Sequence, residues 1–489
     1  MIVASDFTNK KITVMGLGLH GGGLGAAKWL LRHGAKVTVT DLKDAGALKS
    51  PIAELEKEFA KCAAKGLPVS KPIYALGHHN EADFAAADMV LQNPAVPRDN
   101  PFLSLARSKG VKVDTDIGIF FRYCPFPITG ITGTKGKSTV TVLLSEICRL
   151  HDRRTVVGGN IRISPLDSLD GLLKLAERGK PAPPVVLELS SWQLEGLAQH
   201  HLSPKVAVIT NIMEDHLNRY DGMDDYAAAK RLIVDFQKAG DTAVLNAEDG
   251  RVSAFVRALL KKGAEAPRVI WFGRKLNHRQ DGVTVVGRNF VNVTAGKRAS
   301  LMPVKSLKVP GEHNQTNAMA AIAAALAMGI PVKTIAKAVR NFRGVPHRLE
   351  ELGRKNGVLF VNDTAATTPD ASIAALRAYS RRGRGLVLIA GGADKELNFT
   401  EWAKEVKKLV KSLVLFDGTA LKKMSDALEA AGMHEYTVVT SMPDAITAAR
   451  EAAKWGDIVL LSPACASFGI FTNEFDRGDK FAKEVRNLR

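Results

Sequence analysis

The 489 residues are enough chain for about three domains, and a hydrophobic content of 46% with 6% aromatics excludes both a disordered chain and a membrane-embedded one. Lysine and arginine outnumber aspartate and glutamate by 68 to 50, a balance of +18 that favours anionic partners. The basic residues are scattered, as at Lys57, Lys61, Lys65, Lys407, Lys408 and Lys411, with little aromatic interleaving. They are therefore expected to be solvated faces whose field attracts phosphorylated small molecules, not nucleic acid.

No apolar run is long enough to span a bilayer, and Met1 to Lys11 lacks the apolar core of a secretory leader, so a cytoplasmic chain without a membrane span is expected. Cys62, Cys124, Cys148 and Cys465 are far apart and unpatterned, which fits reduced thiols. Strands and helices alternate throughout. The expected fold class is α/β in three domains: Rossmann-like over 1–115, a P-loop mononucleotide-binding domain over 116–344, and Rossmann-like again over 345–489.

In chain order, a strand at Lys11 to Met15 runs into Gly16-Leu17-Gly18-Leu19-His20-Gly21 and a helix through Trp29, and a second strand ends at Asp41. Taken alone, this glycine turn with an acid about twenty residues on is a dinucleotide fingerprint and would describe a nicotinamide-dependent oxidoreductase. The same turn also serves any ligand with a ribose and a diphosphate. Strands near Ile73 to Leu76 and Met89 to Gln92 lead to Asn93 and Pro94 at a strand's carboxyl end, where such sheets place ligands. A short strand at Val111 to Val113 and a helix from Asp116 to Tyr123 close the segment.

The second segment opens on Ile128 to Thr132 followed by Gly133-Thr134-Lys135-Gly136-Lys137-Ser138-Thr139, a strand, a glycine loop and a helix start. Backbone N–H groups and the positive helix end converge there, which makes a phosphate site. Lys137 can reach the terminal phosphates, and the hydroxyl of Ser138 or Thr139 can ligate the Mg²⁺ that accompanies a nucleotide. Gly158-Gly159-Asn160 is expected to be another strand-end loop. In Val185 to Leu189 an acid, Glu188, interrupts a buried strand and is a candidate Mg²⁺ ligand. His216 lies in the loop after the strand Lys205 to Thr210. Lys230 shares a helical stripe with Tyr226 and Ile233, so its amine is expected to be buried. Asn314 and Asn317 open an alanine-rich helix; capping would use one of them and a purine edge both. In the third segment, strand ends carry Asn362-Asp363-Thr364, Gly391-Gly392 and Ser462 to Ser467.

Together, Thr132 to Thr139, Leu187 to Ser191, Asn211 to His216, Tyr226 to Lys230, His313 to Asn317, Pro346-His347-Arg348, Asn362-Asp363 and Ser462 to Ser467 occur in the order of the Mur ligase family, which this chain resembles over essentially its whole length. The resemblance implies an ATP-dependent amide ligase that adds D-glutamate to UDP-N-acetylmuramoyl-L-alanine through an acyl phosphate, in peptidoglycan precursor synthesis. A Mur-type ligase using another amino acid, L-glutamate included, is the alternative. The implied cofactors are ATP and two Mg²⁺ ions, and a monomer is expected.

By position, the resemblance implies that Gly133 to Thr139, Asn314, Asn317, Arg348 and Asp363 bind ATP. Ser138, Glu188, His216 and Lys230 would hold the metal, with Lys230 carbamylated, and Lys137, Glu188, His216, Lys230, His347 and Arg348 would be catalytic. Gly18, Leu19, His20, Asp41, Leu42, Asn93, Pro94, Asn160 and His216 would contact the UDP-sugar. Thr367, Lys395, Ser467 and Phe475 would hold the incoming amino acid, and Ala365 stands where the family usually has a lysine.

Overall fold

The computed structural model describes residues 6–18, 22–97, 99–161, 163–215, 219–309, 311–394, 397–467 and 469–488. Two compact units divide the chain, Met1–Phe342 and Arg343–Arg489.

The first unit contains two sheets. One is parallel, built from β1 (Lys11–Met15), β2 (Lys36–Asp41), β3 (Ile73–Leu76), β4 (Met89–Gln92) and β5 (Lys112–Asp114) in the order β3-β2-β1-β4-β5. The order reverses at β1, so a crevice opens at the carboxyl ends of β1 and β4. Helix α1 (Gly22–Arg32) leaves that end of β1, and α2 (Asp116–Tyr123) follows β5.

The second sheet has β6 (Ile128–Thr132), β7 (Val156–Gly159), β8 (Val185–Glu188), β9 (Val206–Ile209), β10 (Thr242–Asn246), β11 (Arg268–Phe272), β12 (Gly282–Val286), β13 (Asn289–Thr294) and β14 (Lys297–Pro303), in the order β14-β13-β12-β11-β10-β9-β6-β8-β7. Its core is parallel and carries near-continuous apolar runs such as Val206 to Ile209, as a sheet covered on both faces requires. β12 to β14 form an antiparallel meander, which the sequence reading does not anticipate. Gly158 and Gly159, expected in a loop, are instead the last two residues of β7. Gly159 has φ +92°, and a Cβ there would lie 2.1 Å from the Glu188 carbonyl oxygen, so only glycine lets β7 approach β8 at this point.

The helices α3 (Lys137–His151), α4 (Met223–Asp235) and α5 (Glu312–Ala327) cover this sheet. In α5 every residue from Ala318 to Ala325 is fully buried. One apolar cluster joins Trp29 and Leu30 of α1 to Leu187 and Ile209 of the second sheet. Across the same boundary the Trp29 indole donates to Asp170 at 2.9 Å, and Asp114 accepts from His200 at 2.8 Å and pairs with Arg122. That shared core explains why two sheets make one unit.

The second unit has one sheet of β15 (Glu350–Lys355), β16 (Val358–Asn362), β17 (Leu386–Gly391), β18 (Ser412–Phe416), β19 (Thr437–Val439) and β20 (Ile458–Leu461), in the order β15-β16-β20-β17-β18-β19. All neighbours are parallel except the edge strand β15. Helices α6 (Pro369–Tyr379), α7 (Met442–Ala452) and α8 (Glu474–Asn487) pack on it. Among the described residues no helix is long and apolar enough to cross a membrane, and none of the four cysteines is in a disulfide.

Candidate active site

The loop after β6 is bolted to the loop after β9. Thr134 N donates to the Asn211 carbonyl at 2.9 Å, Lys135 N donates to Asn211 Oδ1 at 2.9 Å, and Thr210 Oγ1 donates to the Lys135 carbonyl at 2.6 Å. A Cβ on Gly133 would lie 1.8 Å from Thr210 Oγ1, and one on Gly136 would lie 2.3 Å from Asn317 Oδ1. Both glycines have positive φ, +145° and +85°, so sterics and backbone conformation together exclude other residues. The sequence reading assigns phosphate gripping to the whole loop, but the amides of Thr134 and Lys135 are committed to Asn211. The first helical bond of α3 runs from Val140 N to the Gly136 carbonyl, so the first turn, which includes Ser138 and Thr139, carries the N-terminal dipole and presents its amides outward.

Two lysines converge on this loop. Lys137 Nζ donates to the carbonyls of Gly133 and Thr134, both at 2.9 Å, and Lys230 Nζ donates to the same Gly133 carbonyl at 2.9 Å. Lys230 is 2% exposed and stands 4.7 Å from the centre of the Tyr226 ring, as its stripe on α4 requires. Burial, and next the charge of Lys137, lower its pKa from 10.5 to about 7, against the pull of Asp215 and Glu188. A substantial share of Lys230 is therefore an unprotonated amine near neutrality, which is the nucleophilic form.

Glu188 ends β8 and is 2% exposed. Its Oε1 accepts from Asn160 Nδ2 at 2.8 Å, while Oε2 has no hydrogen-bond partner among the described residues. The buried acid is thus held by an amide rather than by a cation, with one oxygen left over. An orphaned carboxylate oxygen beside a phosphate-type loop, with the Ser138 hydroxyl in the first turn of α3, is the donor chemistry of a hard dication, so the residues present fit Mg²⁺. His216 lies outside the described residues, as do Leu19, His20 and Lys395. On α5 the cap is Gly311 and no side chain caps it, so neither Asn314 nor Asn317 serves that purpose. Asn317 lies against the loop at Gly136.

In the first sheet, Asp41 is buried and both its oxygens accept backbone amides, from Gly18 at 3.1 Å and Lys43 at 3.0 Å. Asn93 Nδ2 donates to the Gly16 carbonyl at 3.2 Å. A small cavity is lined by Gly16, Gly22, Asn93, Pro94 and Asp116. Leu42, next to Asp41 in the chain, is 70% exposed.

In the second unit, Asp363 follows β16 and is 4% exposed; it accepts from Ser462 Oγ at 2.9 Å and Leu349 N at 3.1 Å, and burial raises its pKa to about 7. His347 has φ +66°, pairs with Asp479 at 3.4 Å and meets the Phe475 ring edge-on. Arg348 is exposed, Thr367 half-buried. The buried Ser467 hydroxyl has no partner among the described residues. The sequence reading missed Arg477 of α8. It is fully buried, donates to Thr364 Oγ1 at 2.9 Å and to the carbonyls of Thr364 and Cys465 at 3.1 and 3.3 Å, and reaches those of Ala466 and Gly391. It therefore ties together the loops that follow β16, β17 and β20. Its spacing to them hides it in the sequence.

A nucleotide-type loop with a metal-ready acid in one unit, and a strand-end cluster of polar groups in the other, define an ATP-dependent ligase when set beside known proteins. Residues 10–115 match the family described as "Mur ligase MurD-like, N-terminal domain", residues 131–325 "Mur ligase middle domain" and residues 347–465 "Mur ligase, glutamate ligase domain". The chain is 42% identical to the UDP-N-acetylmuramoylalanine–D-glutamate ligase of Roseiflexus sp. (strain RS-1), over 99% of this chain and 100% of that one. It is 38% identical to the enzyme of the same name from Pelotomaculum thermopropionicum, over 99% of each. Among solved structures it resembles UDP-N-acetylmuramate-alanine ligase from Thermotoga maritima, with a TM-score of 0.57 at 22% identity over 98% of this chain and 100% of that one, a likeness of fold. This chain belongs to the Mur ligase family. Mur ligases are ATP-dependent and use Mg²⁺.

Proposed function

We infer that the chain performs the D-glutamate-adding step of peptidoglycan precursor synthesis, joining D-glutamate to UDP-N-acetylmuramoyl-L-alanine with ATP as the energy source. Full-length identity of up to 42% to ligases of that name supports it. The observation that carries the chemistry is the convergence of Lys137, Lys230 and the loop carbonyl of Gly133 beside the orphaned oxygen of Glu188.

A carboxylate is a poor electrophile, so the terminal carboxylate of the UDP-sugar substrate is first phosphorylated by ATP, and the amine of glutamate then displaces phosphate. Lys137 and the first turn of α3 offset charge on the transferred phosphate. Ser138, Glu188, His216 and Lys230 would hold two Mg²⁺ ions, which supply charge neutralisation when bound. The lowered pKa of Lys230 suits reaction with CO₂: a carbamate replaces a costly buried ammonium with an anionic oxygen ligand. Asn314 and Asn317 face the adenine, Asp363 the ribose, and His347 and Arg348 the transferred phosphate. Gly18, Asp41, Leu42, Asn93, Pro94 and Asn160 serve the UDP-sugar, together with Leu19 and His20. Thr367, Lys395, Ser467 and Phe475 take the glutamate. Residues 1–115, 116–344 and 345–489 thus divide into sugar-nucleotide, ATP and amino-acid domains.

The test is phosphate release from ATP with UDP-N-acetylmuramoyl-L-alanine and D-glutamate, L-glutamate or other amino acids in turn. Release with D-glutamate alone is expected. Release with L-glutamate alone would move the chain to a different specificity, and release with none would overturn the assignment.

A further inference from the structure

The carboxyl ends of the second unit's strands carry the groups assigned above, and its opposite edge carries something that reaction does not need. There, Arg354, Arg381, Arg382, Arg384 and Trp455 line a depression of about 430 Å³ floored by Gly357, Gly383 and Gly456. Trp455 is 68% exposed, and it is the one aromatic among the large exposed hydrophobic side chains of the described residues. Its position is built: Gly357 has φ +78°, and a Cβ there would lie 2.1 Å from Trp455 Cδ1, so the indole edge rests on bare backbone. The Arg384 guanidinium lies 4.9 Å from the indole centre. Arg382 is occupied by Glu351 at 2.7 Å and by the Tyr379 ring. Arg381 and Arg384 have no carboxylate partner among the described residues.

Arginines just after α6 complement the negative end of that helix, and that would account for Arg381 and Arg382 alone. It does not account for a largely bare tryptophan in their midst. Exposing an indole forgoes burial worth about 2 kcal/mol or more, and tryptophan and arginine are the residues that most often anchor protein interfaces.

We propose that this depression is a docking site for an acidic polypeptide segment of another protein, with an apolar side chain seated on Trp455 and carboxylates on Arg381 and Arg384. Three features favour an acidic peptide. A base stacks over the whole ring face and would displace the Arg384 guanidinium that lies 4.9 Å from the indole centre, whereas a smaller aliphatic side chain takes only part of the indole, which is 68% exposed, and leaves Arg384 to donate to a carboxylate. The helices α6 and α7 end at this edge rather than begin, so no helix N-terminus offers amides to phosphate. Arg354, Arg381, Arg382 and Arg384 gather at the depression and only Arg382 faces a carboxylate among the described residues, a local excess that the side-chain carboxylates of a peptide complement. Because catalysis is assigned to the other ends of the same strands, a partner bound here leaves turnover untouched.

The experiment uses the full chain and a fluorescein-labelled decapeptide of alternating glutamate and leucine, read by anisotropy, beside labelled oligothymidylate of equal charge. Saturable peptide binding is expected, weakened at least about tenfold by Trp455→Ala and by Arg384→Glu, with ATP-dependent phosphate release and thermal unfolding unchanged in both. Lys57→Glu, in the other unit, should bind the peptide like the parent chain. Absence of peptide binding, equal loss with Lys57→Glu, or oligothymidylate binding more tightly and through the same residues would each overturn the proposal.

Discussion

In the first unit two glycine-rich stretches follow a parallel strand, Gly16 to Gly18 after β1 and Gly133 to Gly136 after β6, and the surroundings of their described residues differ in kind. Around the second, two lysines, a buried acid with a spare oxygen and a bolted neighbouring loop concentrate charge at one point. Around the described residues of the first, Asn93 donates to a carbonyl and Asp41 accepts two backbone amides, with the Lys43 ammonium 4.0 Å away. On the assignment proposed above, two similar glycine turns serve two purposes. A group that is only held needs shape and a few amides, whereas a group that reacts needs cations able to follow the charge as it moves.

Mutations on the two loops should therefore have unequal effects. Lys137→Ala should lower turnover about a thousandfold with folding unchanged by circular dichroism; a loss confined to KM would erase the contrast. Lys230→Ala should cost about a hundredfold or more, and short carboxylic acids added to the assay should restore part of it. The carbamate itself is visible by ¹³C NMR with labelled bicarbonate, and its signal should grow between about pH 6 and about pH 8 as the amine loses its proton. The same depressed pKa makes the unfolded chain bind more protons than the folded one between about 7 and 10.5, so Lys230 makes stability rise with pH across that window. Lys230→Met should flatten that slope in urea titrations.

Asn160→Ala frees Glu188 Oε1 from the side-chain amide that holds it among the described residues, and should raise the Mg²⁺ concentration for half-maximal rate about tenfold with a smaller change in maximal rate. The smallest effect is expected at the first loop. Asn93→Ala should raise KM for the UDP-sugar a few-fold and leave kcat alone; a kcat loss as large as that of Lys137→Ala would show that both loops do chemistry.

Much of this was legible in the sequence because it is local. Buried parallel strands announce themselves as apolar runs, and Gly133 to Thr139 places its helix start, its lysine and its hydroxyls within seven residues. The stripe of Tyr226, Lys230 and Ile233 foretold a buried amine correctly. What escaped was either exposed or distant. β14 is mostly solvent-facing and β15 reads Glu-Glu-Leu-Gly-Arg-Lys, so neither shows the apolar pattern of a core strand. Arg477 acts on Thr364, 113 residues away, and Asn317 on Gly136, contacts that no short motif can encode.

The alanine face of α5 has a further bearing. A rod sealed on every side from Ala318 to Ala325 has no slack into which a methyl group could be added. Asn317, just before it on the helix, abuts the loop at Gly136. Sequence drift along that rod would be transmitted as displacement of the asparagine, so the freedom of this region to evolve is set by steric closure rather than by chemistry.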